Sequence, residues 1–234
     1  MSKRADSRVT PGHAQPGHRG RLREDVVRRG LDEAPDYIAV ELILTLCIPR
    51  RDVKSVAKDL VRRFGSYRAV IDASENELAS VPGVGSATAG KLQLVRMAAV
   101  HYLKQHATEV PVPRDSDAVN DYVRARLGPL HTEEFWVLCL DATLRVIHDE
   151  AVAQGTVNRT AVFPRQVVNT ALRREAAAIV LAHNHPSGVA APSEEDKALT
   201  RQIALAASAV DIRLYDHIIV GLDEVYSFRA SGLL

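Results

Sequence analysis

Hydrophobic residues in the first half of the chain recur at intervals of three and four positions, which is the spacing of an amphipathic helix. The pattern begins near Glu24 and ends near Gln105. It appears in four segments: Val26-Val27, residues 38–48, residues 53–61 and residues 91–103. The spacing predicts an all-α N-terminal region.

The second half of the chain has a different hydrophobic pattern. Short runs rich in β-branched and aromatic residues alternate irregularly with segments of helical spacing. The pattern predicts helices near residues 118–127, 164–175 and 193–207, and strands at 135–140, 145–147, 177–181, 218–220 and 225–228. Strands and helices without strict alternation favour an α+β domain with a mixed sheet.

Two prolines, Pro111 and Pro113, forbid a helix between these regions and mark a domain boundary. We expect a helical domain at residues 25–109 and an α+β domain at 110–234. Residues 1–24 contain several Pro, Gly, Arg and His residues and almost nothing to bury, which predicts a mobile basic arm. Both a solvated tail and a phosphate-contacting arm fit that composition.

Composition and charge describe an ordinary globular protein, with 46% hydrophobic residues, 25% charged residues and a formal charge of +1. The first 110 residues hold about five more basic than acidic side chains, and the remainder about four more acidic ones. The apolar run at 38–48 is interrupted by Glu41 and is far shorter than the roughly 20 residues of a membrane span. Cys47 and Cys139 each lie in an apolar run, which indicates buried free thiols. We expect a cytoplasmic protein with no membrane segment.

The helical half contains Pro82-Gly83-Val84-Gly85, two glycines around one apolar residue between helical segments. Such a turn leaves backbone amides free at the start of the next helix, where a phosphate can bind. The string, within about residues 77–95, resembles the helix-hairpin-helix motif, and Lys91 would add a charge nearby. Weak, non-specific DNA binding through residues 81–91 and the basic arm is one interpretation, and a hairpin that only packs helices is the other.

The pattern that indicates chemistry is His183-Asn184-His185 after an apolar run, followed by a helix start at Ser193 with Asp196 in its first turn. Side chains two apart on a strand point to the same side, so both imidazoles can share one cation. Asp196 can supply a carboxylate, which leaves a fourth tetrahedral position open for water, as in catalytic zinc sites. Taken alone, Ser193 and Asp196 are better explained as a helix capping box.

The spacing of these residues resembles the JAMM signature of the JAB/MPN metalloprotease superfamily. Within that superfamily the chain resembles the RadC family over nearly its whole length. The resemblance is carried by His183–Gly188, Gly155-Thr156-Val157, Phe163-Pro164-Arg165, Asp216-His217, Ser227-Phe228, Gly232-Leu233, Gly17–Arg23, Ile48–Val53 and the hairpin.

The resemblance implies that His183, His185 and Asp196 hold zinc and that Ser193 supports the oxyanion or the zinc-bound water. It also implies an upstream glutamate as general base. Glu133, two residues before Phe135, is our choice; Glu134 is more simply a surface charge, and Glu150 is the fallback. These roles predict a zinc hydrolase that cleaves a peptide or isopeptide bond.

Other interpretations stay open at this stage. The hairpin and the basic arm favour a DNA-associated repair or recombination accessory protein whose C-terminal domain is a binding platform. Two histidines and one carboxylate are also the ligands of some iron oxygenases. The tripeptide His-Asn-His is no nuclease signature, since the residues that name HNH nucleases are separated in sequence.

Three further residues near the motif are candidates for supporting roles. His217 is either a partner of the ligands or, more simply, a structural histidine. Arg165 either grips a substrate anion or lies on the surface at a helix start. Asn184 should point away from the metal and hold a loop by hydrogen bonds.

Overall fold

The computed structural model describes residues 17–113, 116–155, 162–222 and 224–234. The chain forms two compact units that divide between Val95 and Arg96. This division lies inside a long helix, whereas the boundary predicted at 109/110 follows the prolines after that helix and stays a prediction. Residues 1–16 of the predicted arm lie outside the described residues.

The first unit is helical and has its own apolar core. Its elements are α1 (His18–Arg29), α2 (Asp36–Cys47), α3 (Lys54–Phe64), α4 (Tyr67–Asp72), α5 (Glu75–Ala79) and the beginning of α6 (Ser86–Glu109). Residues 18–24 belong to α1 and differ from the predicted mobile arm. The reason is that Leu22 is buried and the Arg19 guanidinium donates to backbone carbonyls of Thr45, Ile48 and Arg51.

The second unit is built on a mixed sheet. Its elements are the end of α6, then α7 (Ser116–Leu127), β1 (Glu134–Leu140), β2 (Val146–Gln154), α8 (Pro164–Arg173), β3 (Ala178–Asn184), α9 (Glu194–Ser208), β4 (Arg213–Val220) and β5 (Val225–Ser227). The strand order is β2-β1-β3-β4-β5; β3 and β4 are parallel, and the other neighbouring pairs are antiparallel. The predicted α+β class with a mixed sheet is confirmed.

Helices cover both faces of this sheet, which explains the continuous apolar run of β3. One face, here called the α9 face, packs Phe135, Ile179 and Leu181 against α8 and α9. The opposite face packs Trp136 and Val180 among side chains of α6 and α7. His183 continues the alternation of Ile179 and Leu181, so its side chain lies on the α9 face.

Strands β2, β3 and β4 extend beyond their predicted ends because hydrophobicity does not mark their outer residues. Strand β2 continues through His148, Asp149 and Glu150, and β4 begins at Arg213. Helix α9 connects the parallel strands β3 and β4, so it begins near the carboxyl end of β3. None of the helices in the described part of the chain has the length and apolar character of a membrane span.

Packing of α9 on the sheet is testable by core truncation. Ile203 is fully buried against the α9 face, whereas Leu205 on the same helix is 74% exposed. We expect Ile203→Ala to lower the free energy of unfolding by about 2–5 kcal/mol. The matched control Leu205→Ala should stay within about 0.5 kcal/mol of the wild type. Urea unfolding measures both, and equal effects would contradict this packing.

Candidate metal centre

The two histidines of the motif lie where β3 ends. His183 is fully buried in β3, opposite Phe135 of β1, and His185 follows directly after the strand. The chain then turns back, with the Gly188 amide donating to the His185 carbonyl (2.9 Å). Gly221 allows this turn to pack closely, since a Cβ there would lie 2.5 Å from the Gly188 oxygen.

Asp196 reaches the histidines from the first turn of α9. The Ser193 hydroxyl donates to Asp196 Oδ2 (2.6 Å) and accepts from the Asp196 amide (3.1 Å), which forms a capping box. The Ser193 amide also donates to Asp196 Oδ2 (2.8 Å). Ser193 therefore caps the helix, as expected, and also holds the Asp196 carboxylate towards the histidines. Its role towards an oxyanion stays a prediction.

The three side chains converge on one point. The Nε2 atoms of His183 and His185 are 3.0 Å apart, and they lie 3.2 Å from Asp196 Oδ1 and 3.5 Å from Asp196 Oδ2, respectively. A tetrahedral ion with metal–ligand bonds of about 2.0–2.1 Å separates its ligand atoms by about 3.3 Å. The donor set and its spacing therefore fit such an ion. Among the described residues, this is the one cluster of three metal-binding groups.

One hydrogen bond, at Nδ1 on the side of the ring away from His183, fixes the tautomer of His185. Its Nδ1 lies 2.8 Å from the carbonyl oxygen of Val189, which can only accept. Nδ1 must therefore carry the proton, and when the ring is neutral, Nε2 presents a lone pair to His183 and Asp196.

A longer relay fixes the tautomer of His183. The Thr200 hydroxyl donates its one proton to the Asp196 carbonyl oxygen (2.5 Å), so it accepts from His217 Nδ1 (2.6 Å). Nε2 of His217 is then an acceptor and receives the Nδ1 proton of His183 (2.9 Å). His183 Nε2 consequently carries a lone pair, and two lone pairs face each other unless a cation or a proton lies between them.

Burial and charge set the protonation states around this relay. Burial lowers the pKa of His217 well below its usual value, which favours the neutral ring that the relay requires. Burial acts to raise the pKa of Asp196, but the hydrogen bonds that protonated His183 and His185 would donate to its carboxylate outweigh burial and hold that pKa far below the usual range. The hydrogen bond that His185 would donate to Asp196 once its ring is protonated raises the pKa of His185, and the charge of Glu133 adds to the shift.

Strand alternation separates the candidate general bases. Because Phe135 pairs with His183, Glu133 continues the α9 face of β1 towards His185, and its charge acts on that imidazole. Glu134 has the opposite orientation, where its carboxylate accepts from Trp136 Nε1 (2.8 Å). The fallback, Glu150, is occupied by Thr170 (2.7 Å) and Arg173 (2.9 Å). This arrangement favours Glu133, whose role as a base stays a prediction.

Asn184 holds the segment that carries Glu133. Its side chain is buried and points to the face opposite the histidines. Its Oδ1 accepts from the Glu134 amide (2.9 Å), and its Nδ2 donates to the carbonyls of Leu130 (3.2 Å) and Thr132 (3.0 Å). The residue between the two histidines thus ties the approach to β1 to the end of β3.

Three other residues of the sequence motifs lie outside this cluster or outside the described residues. The Arg165 guanidinium stacks on the Phe163 ring at the start of α8, 5.1 Å from its centroid. Thr156 and Val157 lie beyond the described part of the chain. The sequence motifs do not include Thr200, although this residue follows Asp196 by four positions and hence lies on the same face of the helix.

The hairpin of the first unit has the tight turn expected from its glycines. Gly83 has φ +91°, and a Cβ there would lie 2.9 Å from Val56 Cγ2. Gly85 has open space where a Cβ would be. The Lys91 ammonium donates to the Cys47 carbonyl at the end of α2 (3.0 Å), so it holds these helices together, and its expected role towards a phosphate stays a prediction.

Comparisons with known proteins cover most of the chain. The family model for RadC-like JAB domains matches residues 113–233, and that for the helix-hairpin-helix motif matches residues 66–92. A UPF0758 protein from Rhodobacter capsulatus is 42% identical over 91% of this chain and all of its own length. A UPF0758 protein from Ruegeria pomeroyi is 39% identical over 93% of this chain and 97% of its own length.

The relay behind His183 predicts a specific mutational effect. Thr200→Val keeps the side-chain shape but removes the hydroxyl that accepts from His217, so the tautomer of His183 is no longer fixed. We expect affinity for Zn²⁺ to fall about 10–100-fold, as measured by competition with a chromogenic chelator. Thr200→Ser keeps the hydroxyl and should stay near the wild type. Wild-type affinity in Thr200→Val would contradict the relay.

Proposed function

This chain belongs to the family of RadC-like JAB domains, and we propose that it is a zinc-dependent hydrolase that cleaves peptide or isopeptide bonds. The observation that carries the proposal is the convergence of two imidazole lone pairs and one carboxylate at tetrahedral spacing. Buried, unpaired thiols at Cys47 and Cys139 agree with action in the cytoplasm.

His183, His185 and Asp196 are the proposed zinc ligands. Two neutral nitrogens and one carboxylate are a donor set that leaves one position of a tetrahedral zinc open. Zinc in such a site lowers the pKa of its bound water to about 7 and polarises a carbonyl group. Iron also binds this set, but the JAB/MPN resemblance favours zinc.

Glu133 is the proposed general base. It would accept a proton from the water that attacks the carbonyl carbon, and donate that proton to the amine nitrogen as the carbon–nitrogen bond breaks. Its position on the α9 face, beside His185, supports this role. Asn184 would keep Glu133 in place through the segment before β1. Ser193 would hold Asp196 in its ligating orientation.

A matched pair of variants tests the hydrolase proposal. Glu133→Gln removes the base but none of the zinc ligands, so we expect one bound zinc per chain and at least about a hundredfold slower cleavage of a peptide and isopeptide library. Glu134→Gln changes the neighbouring residue on the other face and should cleave at the wild-type rate. Mass spectrometry measures zinc, and fluorogenic substrates measure cleavage.

Two results would overturn the proposal. One is a zinc-loaded wild type that cleaves no library member faster than His183→Ala. The other is a Glu133→Gln variant that retains full activity.

The hairpin supports a second proposed function, weak contact with nucleic-acid backbones. The match to the helix-hairpin-helix motif and the tight turn at Gly83 favour it. Backbone amides at the start of α6 would meet phosphate without reading bases. In this role the chain would bring its hydrolase domain to DNA, as an accessory protein does.

Gly85 offers a clean test of the hairpin, since a side chain there meets open space whereas one at Gly83 would strain the turn. Gly85→Glu places a negative charge at the turn, so we expect about tenfold weaker binding to a short DNA duplex at low salt. Gly85→Ala adds volume without charge and should bind like the wild type. Fluorescence anisotropy measures both, and equal affinities would remove this function.

A further inference from the structure

The helical unit contains a cavity of about 520 Å³, and this volume is within the usual range of small-ligand pockets. It is lined by residues at the start of α1, by Glu41 and Thr45 of α2, and by the segment 50–53 that leads into α3. We call it the Glu41 pocket.

Glu41 is the unusual residue of this pocket. Its side chain is 1% exposed, and one carboxyl oxygen, Oε1, lies 2.7 Å from His18 Nε2. The other oxygen, Oε2, is buried and has no hydrogen-bond partner among the described residues. A buried carboxyl oxygen without a donor is costly, and a ligand that donates an N–H would satisfy it.

The rim of the pocket carries positive charge, in contrast to the buried carboxyl group of Glu41. Arg50 and Arg51 are exposed, and neither guanidinium has an ion-pair or hydrogen-bond partner within the described residues. Arg19 is different, because it donates to carbonyls at the end of α2 and beyond and so holds the pocket wall. Two unpaired guanidinium groups next to a buried acceptor fit a ligand with an N–H donor at one end and a phosphate at the other.

Arg51 connects the pocket with the hairpin. Its Nη2 atom lies 3.6 Å from the position that a Cβ of Gly83 would occupy. A phosphate held by Arg51 would therefore lie beside the turn that contacts a nucleic-acid backbone in hairpins of this type. The pocket is lined by one histidine and two carboxylates, His18, Glu41 and Asp52, but among the described residues their donor atoms do not converge as a metal centre requires.

We propose that the Glu41 pocket binds a nucleotide, with an amino-bearing base that donates to Glu41 Oε2 and a phosphate on Arg50 and Arg51. This inference rests on the second proposed function only in placing the neighbouring phosphates of a strand at the hairpin. It adds a site that binds a base, whereas the hairpin itself contacts only the backbone. The nucleotide is either part of a single strand or free.

The test compares two fluorescent single-stranded probes of equal charge, a 12-mer of deoxycytidine and a 12-mer of abasic sites. We expect the wild-type chain to bind the deoxycytidine strand about tenfold more tightly, because only this strand offers a base. Glu41→Gln leaves one oxygen to accept from His18 and puts an NH₂ group, which donates, in the place of Oε2, so the two affinities should become equal. Equal affinities in the wild type, or an unchanged ratio in Glu41→Gln, would overturn the proposal.

Two further variants separate the pocket from the hairpin. Arg50 has φ +59°, a conformation that asparagine tolerates, so Arg50→Asn removes the guanidinium without straining the turn. It should weaken binding of both strands. Gly85→Glu should also weaken both strands but leave their ratio unchanged, so the hairpin can fail while the pocket stands. Thermal melting verifies that each variant is folded. If Glu41→Gln is unfolded, the ratio of the wild-type affinities for the two strands decides the proposal.

Deoxycytidine monophosphate distinguishes the two sources of the nucleotide. If the monophosphate displaces the deoxycytidine strand at micromolar concentration, the pocket is a site for free nucleotides. If the monophosphate is ineffective and the strand keeps its tenfold preference, the pocket takes a nucleotide within a strand. Loss of displacement in Arg50→Asn would support the assigned phosphate position.

Discussion

The central constraint in this protein is that the Nε2 atoms of His183 and His185 face each other at 3.0 Å beside a carboxylate. The Val189 carbonyl accepts a hydrogen bond from Nδ1 of His185. The relay through His217 and Thr200 accepts one from Nδ1 of His183. Each far-side partner leaves its neutral ring with a lone pair at the centre. The surrounding structure directs two neutral acceptors and one carboxylate towards one point, a geometry that fits a bound cation.

The fold supplies these acceptors from one local unit. Strand β3 delivers both histidines, the connecting helix α9 begins with Asp196 and contains Thr200, and the parallel strand β4 contributes His217 opposite Leu181. Phe135 stacks on His183 and Phe228 stacks on His217, so the relay is closed off by aromatic rings on both sides. The same strand-helix-strand unit therefore forms both the core and the site.

The sequence brings out the three candidate ligands but only part of the structure that supports them. The two-residue spacing of His183 and His185 and the helix start at Ser193 are local patterns, so they can be read from the sequence. The contact of His217 with His183 depends on the register of β3 and β4, which joins residues 34 positions apart. The choice of Glu133 over Glu134 came from the family resemblance, and the strand pairing of Phe135 with His183 adds a structural reason for it. The unpaired oxygen of Glu41 carries no sequence signal, since an acidic residue in an apolar helix is ordinary.

Zinc K-edge X-ray absorption on the full chain loaded with one equivalent of Zn²⁺ tests the central claim most directly. The account predicts about four nitrogen and oxygen ligands at about 2.0–2.1 Å, with the scattering signature of two imidazoles that is lost in His183→Ala. A sulfur shell at about 2.3 Å, or an all-oxygen shell without imidazole, would contradict it.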